Sequence, residues 1–172
     1  GPEPFDHEAL VEQGIEHRFA PAGKFRRYTS ILSFFDFLKT SIGIIRSLFQ
    51  IFSLYPDAIF STGGFAAFPT LVAARLLNIP VVIYDADAEP GIVSLWSSKF
   101  AKWIAIAHPN AAQKYPEKVR SRIALVGHPI RQAVLGGSHD EAFDIFELED
   151  KVPVVFVFGG SQGAQKINDT IL

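Results

Sequence analysis

Four stretches of this chain carry residues whose types and spacing could do chemistry. In "VVIYDADAEPG" (residues 81–91), Asp85, Asp87 and Glu89 alternate directly after an apolar run. If that run is a buried strand, the acids lie past its carboxyl end, where α/β folds place their ligands. There they could orient or deprotonate a hydroxyl, or hold a divalent cation against a diphosphate. Equally, they could be a solvated loop whose acids cap the next helix. In "VVFVFGGSQGAQKIN" (residues 154–168), Gly159, Gly160 and Ser161 join an apolar run to a helical pattern. Free backbone N–H groups and the positive end of a helix suit an anion there, and a purely structural turn fits as well. The run matches neither GxGxxG nor GxxxxGK[ST], and Lys166 falls too late to act as a P-loop lysine. "STGGF" (residues 61–65) puts Gly63, Gly64 and Phe65 in the same setting, where glycine is first of all a backbone requirement. Arg131 in "VGHPIR" could grip a diphosphate through its planar fork or be a solvated linker residue. His108 reads as a loop histidine; His7, His17 and His139 show no ligand spacing, so no metal site is expected.

These residues need a scaffold, and the apolar pattern supplies one. From residue 56 onward, short apolar runs ("DAIFST", "IPVVIYD", "WIAIA", "RIALVG") alternate with helical stretches ("FAAFPTLVAARLLN", "IVSLWSSKFAK"). That rhythm predicts a parallel sheet with helices on both faces. Residues 15–20, "IEHRFA", read as a further short strand. Residues 31–55 are the most apolar stretch, but polar residues recur every three or four positions. Three charges near mid-span would each cost roughly 2.5–3.5 kcal/mol in a bilayer. An amphipathic helix is therefore expected, not a membrane span. Residues 127–150 carry Pro, Gly and charge and read as a linker. The expected organisation is a partial α/β domain over 1–126, that linker, and over 151–172 the first β-turn-α unit of a second domain.

Composition narrows the partners. The net charge is −2 with a pI near 6.2, and a nucleic-acid-binding protein normally carries a basic excess. The chain has no cysteine, which excludes disulfides and thiolate metal sites, and no methionine even at position 1, which points either to processed ends or to an internal piece of a longer protein. Its opening, "GPEPFDHEALVEQ", lacks the apolar core of a signal peptide.

Taken in order, GGF…P, "YDADAEPG", "GHPIR" and "FGGSQGAQKIN" resemble the MurG family, the N-acetylglucosaminyltransferases that convert lipid I to lipid II in peptidoglycan synthesis. The resemblance runs from about residue 14 to residue 172. It implies a glycosyltransferase-B fold, with two Rossmann-like domains facing across a cleft. Here the first would lack its initial β-α unit and the second would be truncated. It also implies an inverting, metal-independent hexosyl transfer that uses no cofactor. By matching motif, Arg131, Ser161, Gly159 and Gly160 would bind the UDP-GlcNAc donor, and Asp87 would sit at a sugar-contacting position. Gly63, Gly64 and Phe65 would line the cleft, and Asp85 would be a base or an orienting acid. The acceptor would be an undecaprenyl-diphosphate muramyl-peptide. The enzyme would then be cytoplasmic and peripheral on the inner face of the plasma membrane. Lys24, Arg26 and Arg27, beside aromatics, would meet anionic headgroups. The sequence departs from the family where Tyr84-Asp85-Ala86-Asp87 stands for "HEQN" and His128 for the Asn of "GNPVR". The family's early "GGTGGH" loop is absent from this stretch. Other readings are a UDP-GlcNAc epimerase or a different UDP-sugar transferase, or a non-catalytic binding or membrane-docking module.

Overall fold

The computed structural model describes residues 7–23, 31–149, 152–157 and 165–171. The chain divides into two compact units, Gly1–His128 and Pro129–Leu172.

The first unit is built on four short parallel strands in the order β1-β2-β3-β4: Ile59–Ser61, Val81–Asp85, Trp103–Ile106 and Ile123–Leu125. The registers Ser61↔Ile83, Ile83↔Ile104 and Ile104↔Ile123 place the strand ends along one rim. The connections are helical. A 3₁₀ turn (Phe65–Ala67) and α3 (Phe68–Leu76) follow β1, and α4 (Ile92–Ser97) follows β2. A short α5 (Ala111–Lys114) and a 3₁₀ stretch (Glu117–Arg122) join β3 to β4. Two helices precede the sheet, α1 (His7–Glu12) and α2 (Ile31–Leu54).

The period-two pattern of the strands decides which side is core. Val81, Ile83, Ile104 and Ile106 point to one side and are buried with Leu71, Ala74, Val93 and Ala111 from the helices. Burying a side chain such as Leu71 or Ile83 stabilises the fold by about 1.5–3 kcal/mol. The opposite face carries Phe60, Tyr84 and Trp103, and there Phe60 stays 65% and Trp103 51% exposed. So the core helices gather on one face of this sheet, not on both as the sequence rhythm predicts. With strands in monotonic order, right-handed crossovers all fall on the same side.

The long helix α2 forms where the apolar pattern predicts it, but its buried face is the less apolar one. Gly43, Ser47 and Ile51, four residues apart, face inward, whereas Phe37, Ile42, Ile45, Phe49 and Phe52 are exposed. Close approach explains this: a Cβ at Gly43 would run into the Pro21 carbonyl and the Pro69 ring. Its stretch Asp36–Leu54 is long and apolar enough to cross a membrane by length and composition. Residues 15–20 do not form the expected strand. Their neighbourhood is tied to α2 by side chains instead: Gln50 Nε2 donates to the Phe19 carbonyl (3.1 Å), the Gly23 N–H to Thr40 Oγ1 (3.1 Å), and the Arg46 guanidinium lies over the Phe19 ring.

The second unit holds a 3₁₀ turn (Gln132–Val134), α6 (His139–Ile145) and α7 (Gln165–Ile171). Residues 127–150 are thus partly helical, with Ser138 capping α6 by accepting from the Glu141 N–H. Residues 152–157 form no strand, while the helix expected after the glycine turn is present as α7.

Candidate functional site

The carboxyl rim of the sheet in the first unit gathers most of the chemistry-bearing residues. After β1, Ser61 Oγ accepts from the Gly63 N–H (3.2 Å), and Gly63 and Gly64 both have φ of 78°. That left-handed conformation favours glycine, and Gly64 with ψ 159° lies where only glycine is comfortable. Phe65 opens the following 3₁₀ turn, and Pro69 sits in the first turn of α3, where its missing N–H is harmless.

Asp85 ends β2. It is buried, and its two carboxylate oxygens have different partners. Oδ1 accepts from Ser94 Oγ of α4 (2.7 Å), and Oδ2 accepts from the Tyr115 hydroxyl just after α5. Burial first, then the hydrogen bond to Asp85 and its negative charge, hold the Tyr115 hydroxyl far above the ordinary tyrosine range. Gly63 leans on the same group, since a Cβ there would lie 2.6 Å from Ser94 Oγ and 3.6 Å from Asp85 Oδ1.

Asp87 lies in the exposed loop beyond. Neither it nor Glu89 caps α4, whose N-cap is Gly91 without a side-chain hydrogen bond; Glu89 instead pairs with Lys114 on the surface (3.1 Å). Past β3 and β4, His108 and His128 bring their Nε2 atoms to 3.2 Å, and the Tyr84 hydroxyl donates to the Gly127 carbonyl (3.2 Å). Among the described residues no group of three or more metal-ligating side chains converges.

The fold therefore brings together Gly63, Gly64, Phe65, Asp85 and Asp87. Arg131 is exposed within the second unit, while Gly159, Gly160 and Ser161, like Lys24, Arg26 and Arg27, lie outside the described residues. Ser94, Tyr115 and the pairing of His108 with His128 were not legible.

Residues 2–106 match the glycosyltransferase family 28 N-terminal domain, more than half of the chain. The chain belongs to glycosyltransferase family 28. Among curated relatives it is 38% identical, over 88% of its length, to the UDP-N-acetylglucosamine–N-acetylmuramyl-(pentapeptide) pyrophosphoryl-undecaprenol N-acetylglucosamine transferase of Treponema denticola. It is 37% identical over 96% of its length to the transferase of that name from Legionella pneumophila. It spans 39% and 45% of these two proteins. In structure it is similar to Acinetobacter baumannii MurG, with a TM-score of 0.56 and 27% identity, over 77% of this chain and 36% of that one. The UDP-GlcNAc 2-epimerase of Methanocaldococcus jannaschii shares the fold at a TM-score of 0.50 and 13% identity, over 71% and 35% of the two chains. The resemblance to the MurG family and the α/β, glycosyltransferase-B type of fold are thus both found.

Proposed function

We propose that the enzyme containing this chain transfers N-acetylglucosamine from UDP-GlcNAc to lipid I, giving lipid II. The observation that carries the reading is the 38% identity to a transferase of that name over 88% of the chain. In this reaction a base takes the proton of the muramyl 4-hydroxyl, and its oxygen attacks the anomeric carbon. The bond from that carbon to the diphosphate breaks with inversion, and UDP leaves with the electron pair. Residues 1–126 form the acceptor side of the cleft, 127–150 the connection, and 151–172 the start of the donor domain. Arg131, Gly159, Gly160 and Ser161 hold the UDP diphosphate, the arginine through its charged planar fork. Asp87, on its exposed loop, meets the sugar; as a carboxylate it accepts hydrogen bonds only. Gly63, Gly64 and Phe65 line the acceptor side, and Asp85 acts as base or orienting acid. Lys24, Arg26 and Arg27, with the exposed apolar residues of α2, dock the enzyme on the anionic inner face of the plasma membrane.

The test is conversion of lipid I to lipid II by the full-length protein with labelled UDP-GlcNAc in the presence of EDTA. Product formation is expected; loss of activity in EDTA would overturn the metal-independent mechanism, and epimerised UDP-GlcNAc without lipid II would overturn the reaction itself. Charge reversal at Lys24, Arg26 and Arg27 is expected to weaken binding to vesicles rich in phosphatidylglycerol, and unchanged binding refutes that docking surface.

A further inference from the structure

A general base needs a lone pair turned toward the proton it removes. Asp85 is badly placed for that: it is 6% exposed, and its two oxygens turn inward to accept from Ser94 and from Tyr115. What the carboxylate does reach is structure on three sides. It joins the end of β2 to the first turn of α4, closing residues 86–93 into a loop strapped at its base, with Asp87 at the exposed part. It joins the same point to the residue that ends α5. And Ser94, held by it, is the floor on which Gly63 rests. The glycine turn and the Asp87 loop are therefore fixed to each other through one buried carboxylate and two hydroxyls.

We propose that Asp85 is an orienting group in the transfer reaction, and that Ser94 and Tyr115 are its positioning residues, setting the Gly63–Gly64 turn and the Asp87 loop at a fixed separation around the bound sugar. The inference rests on the transferase reading above and deepens it. A misplacement of about 1 Å in such a frame lowers a rate about 100-fold. Burial of Tyr115 and its bond to Asp85 keep that hydroxyl protonated, so it remains a donor throughout the working pH range.

The experiment is steady-state kinetics across pH in the full-length enzyme. Tyr115→Phe and Ser94→Ala should each lower kcat about 10-fold to 100-fold, with the acid limb of the kcat/KM profile where the wild type has it. Asp85→Asn, whose amide can accept from one hydroxyl and donate to the other, should keep activity within about 10-fold. Three results would overturn the proposal. One is loss of about 100-fold or more in Asp85→Asn with disappearance of the acid limb, the mark of a general base. Another is an acid limb displaced upward in Tyr115→Phe, because a catalytic carboxylate deprived of a donor protonates more readily. The third is wild-type kcat in both hydroxyl variants. A second readout needs no activity: from about pH 9 to 11, wild type and Tyr115→Phe should show the same tyrosinate absorbance change. An extra tyrosine ionising in the wild type would mean the clamp is not formed. A wild-type enzyme without transferase activity overturns the function reading and the clamp's part in transfer, while the absorbance titration separately decides whether the clamp exists.

Discussion

Gly63→Ala probes the turn and the carboxylate beneath it together. Two separate penalties follow from the geometry. The residue has φ of 78°, a conformation in which a Cβ costs about 1–2 kcal/mol. The new methyl also lies 2.6 Å from Ser94 Oγ, a buried hydroxyl with no room to retreat except by leaving Asp85. Releasing a hydrogen bond to a buried carboxylate costs about 1.5–3 kcal/mol. The full loss is therefore about 2.5–5 kcal/mol, read as a shift in the urea midpoint at constant slope. The decisive comparison is a double-mutant cycle with Ser94→Ala. Once the hydroxyl is gone, Gly63→Ala should cost only its backbone share, giving a coupling of about 1.5–3 kcal/mol. Gly64→Ala is the internal control, since its Cβ would meet nothing within 4 Å. It should lose about 1–3 kcal/mol from backbone strain alone and add to Ser94→Ala within about 0.5 kcal/mol. An additive Gly63→Ala/Ser94→Ala pair would refute the reasoning that the turn is seated on Ser94.

Other consequences follow from burial and charge. Leu71→Ala, at a fully buried core position, should destabilise by about 2–5 kcal/mol in the same denaturation assay. On α2 the two faces should respond in opposite ways to chemistry. Phe49→Gln, at a position 73% exposed, should shift stability by less than about 0.5 kcal/mol. Ser47→Leu, in the tight seam facing inward, should cost about 1–3 kcal/mol by overpacking. Tyr115 gives a pH dependence of definite sign. Its folded-state pKa is raised above the unfolded value of 10.0, so its contribution is complete below pH 10 and declines as pH rises above it. Stability measured above pH 10 should fall about 1.4 kcal/mol per pH unit more steeply in wild type than in Tyr115→Phe.

How much of this was legible in the sequence depends on whether the signal was local. Strands β1 to β4 were, because short apolar runs bounded by Gly, Pro and charge leave few alternatives, and the acids after β2 then had to fall on the sheet's rim. The side on which α2 packs was not: hydrophobicity alone favours burying Phe49 and Phe52, and what shows in the structure is that Gly43 lets the segment around Pro21 come close, where a Cβ would meet its carbonyl. The predicted strand at 15–20 does not form; there the Phe19 carbonyl accepts from Gln50 of α2 and the Phe19 ring meets the Arg46 guanidinium. The same contrast runs through the site. Gly63 and Gly64 announced themselves because a left-handed backbone needs glycine. Tyr115 did not, being thirty residues from Asp85 and brought to it only by the β2–β3 pairing and the short α5 that follows. An acid at a strand end reads equally as a base or as a prop until its partners are known. Here the partners are two hydroxyls in the interior, and a carboxylate so engaged ties the end of β2 to α4 and to the residue after α5.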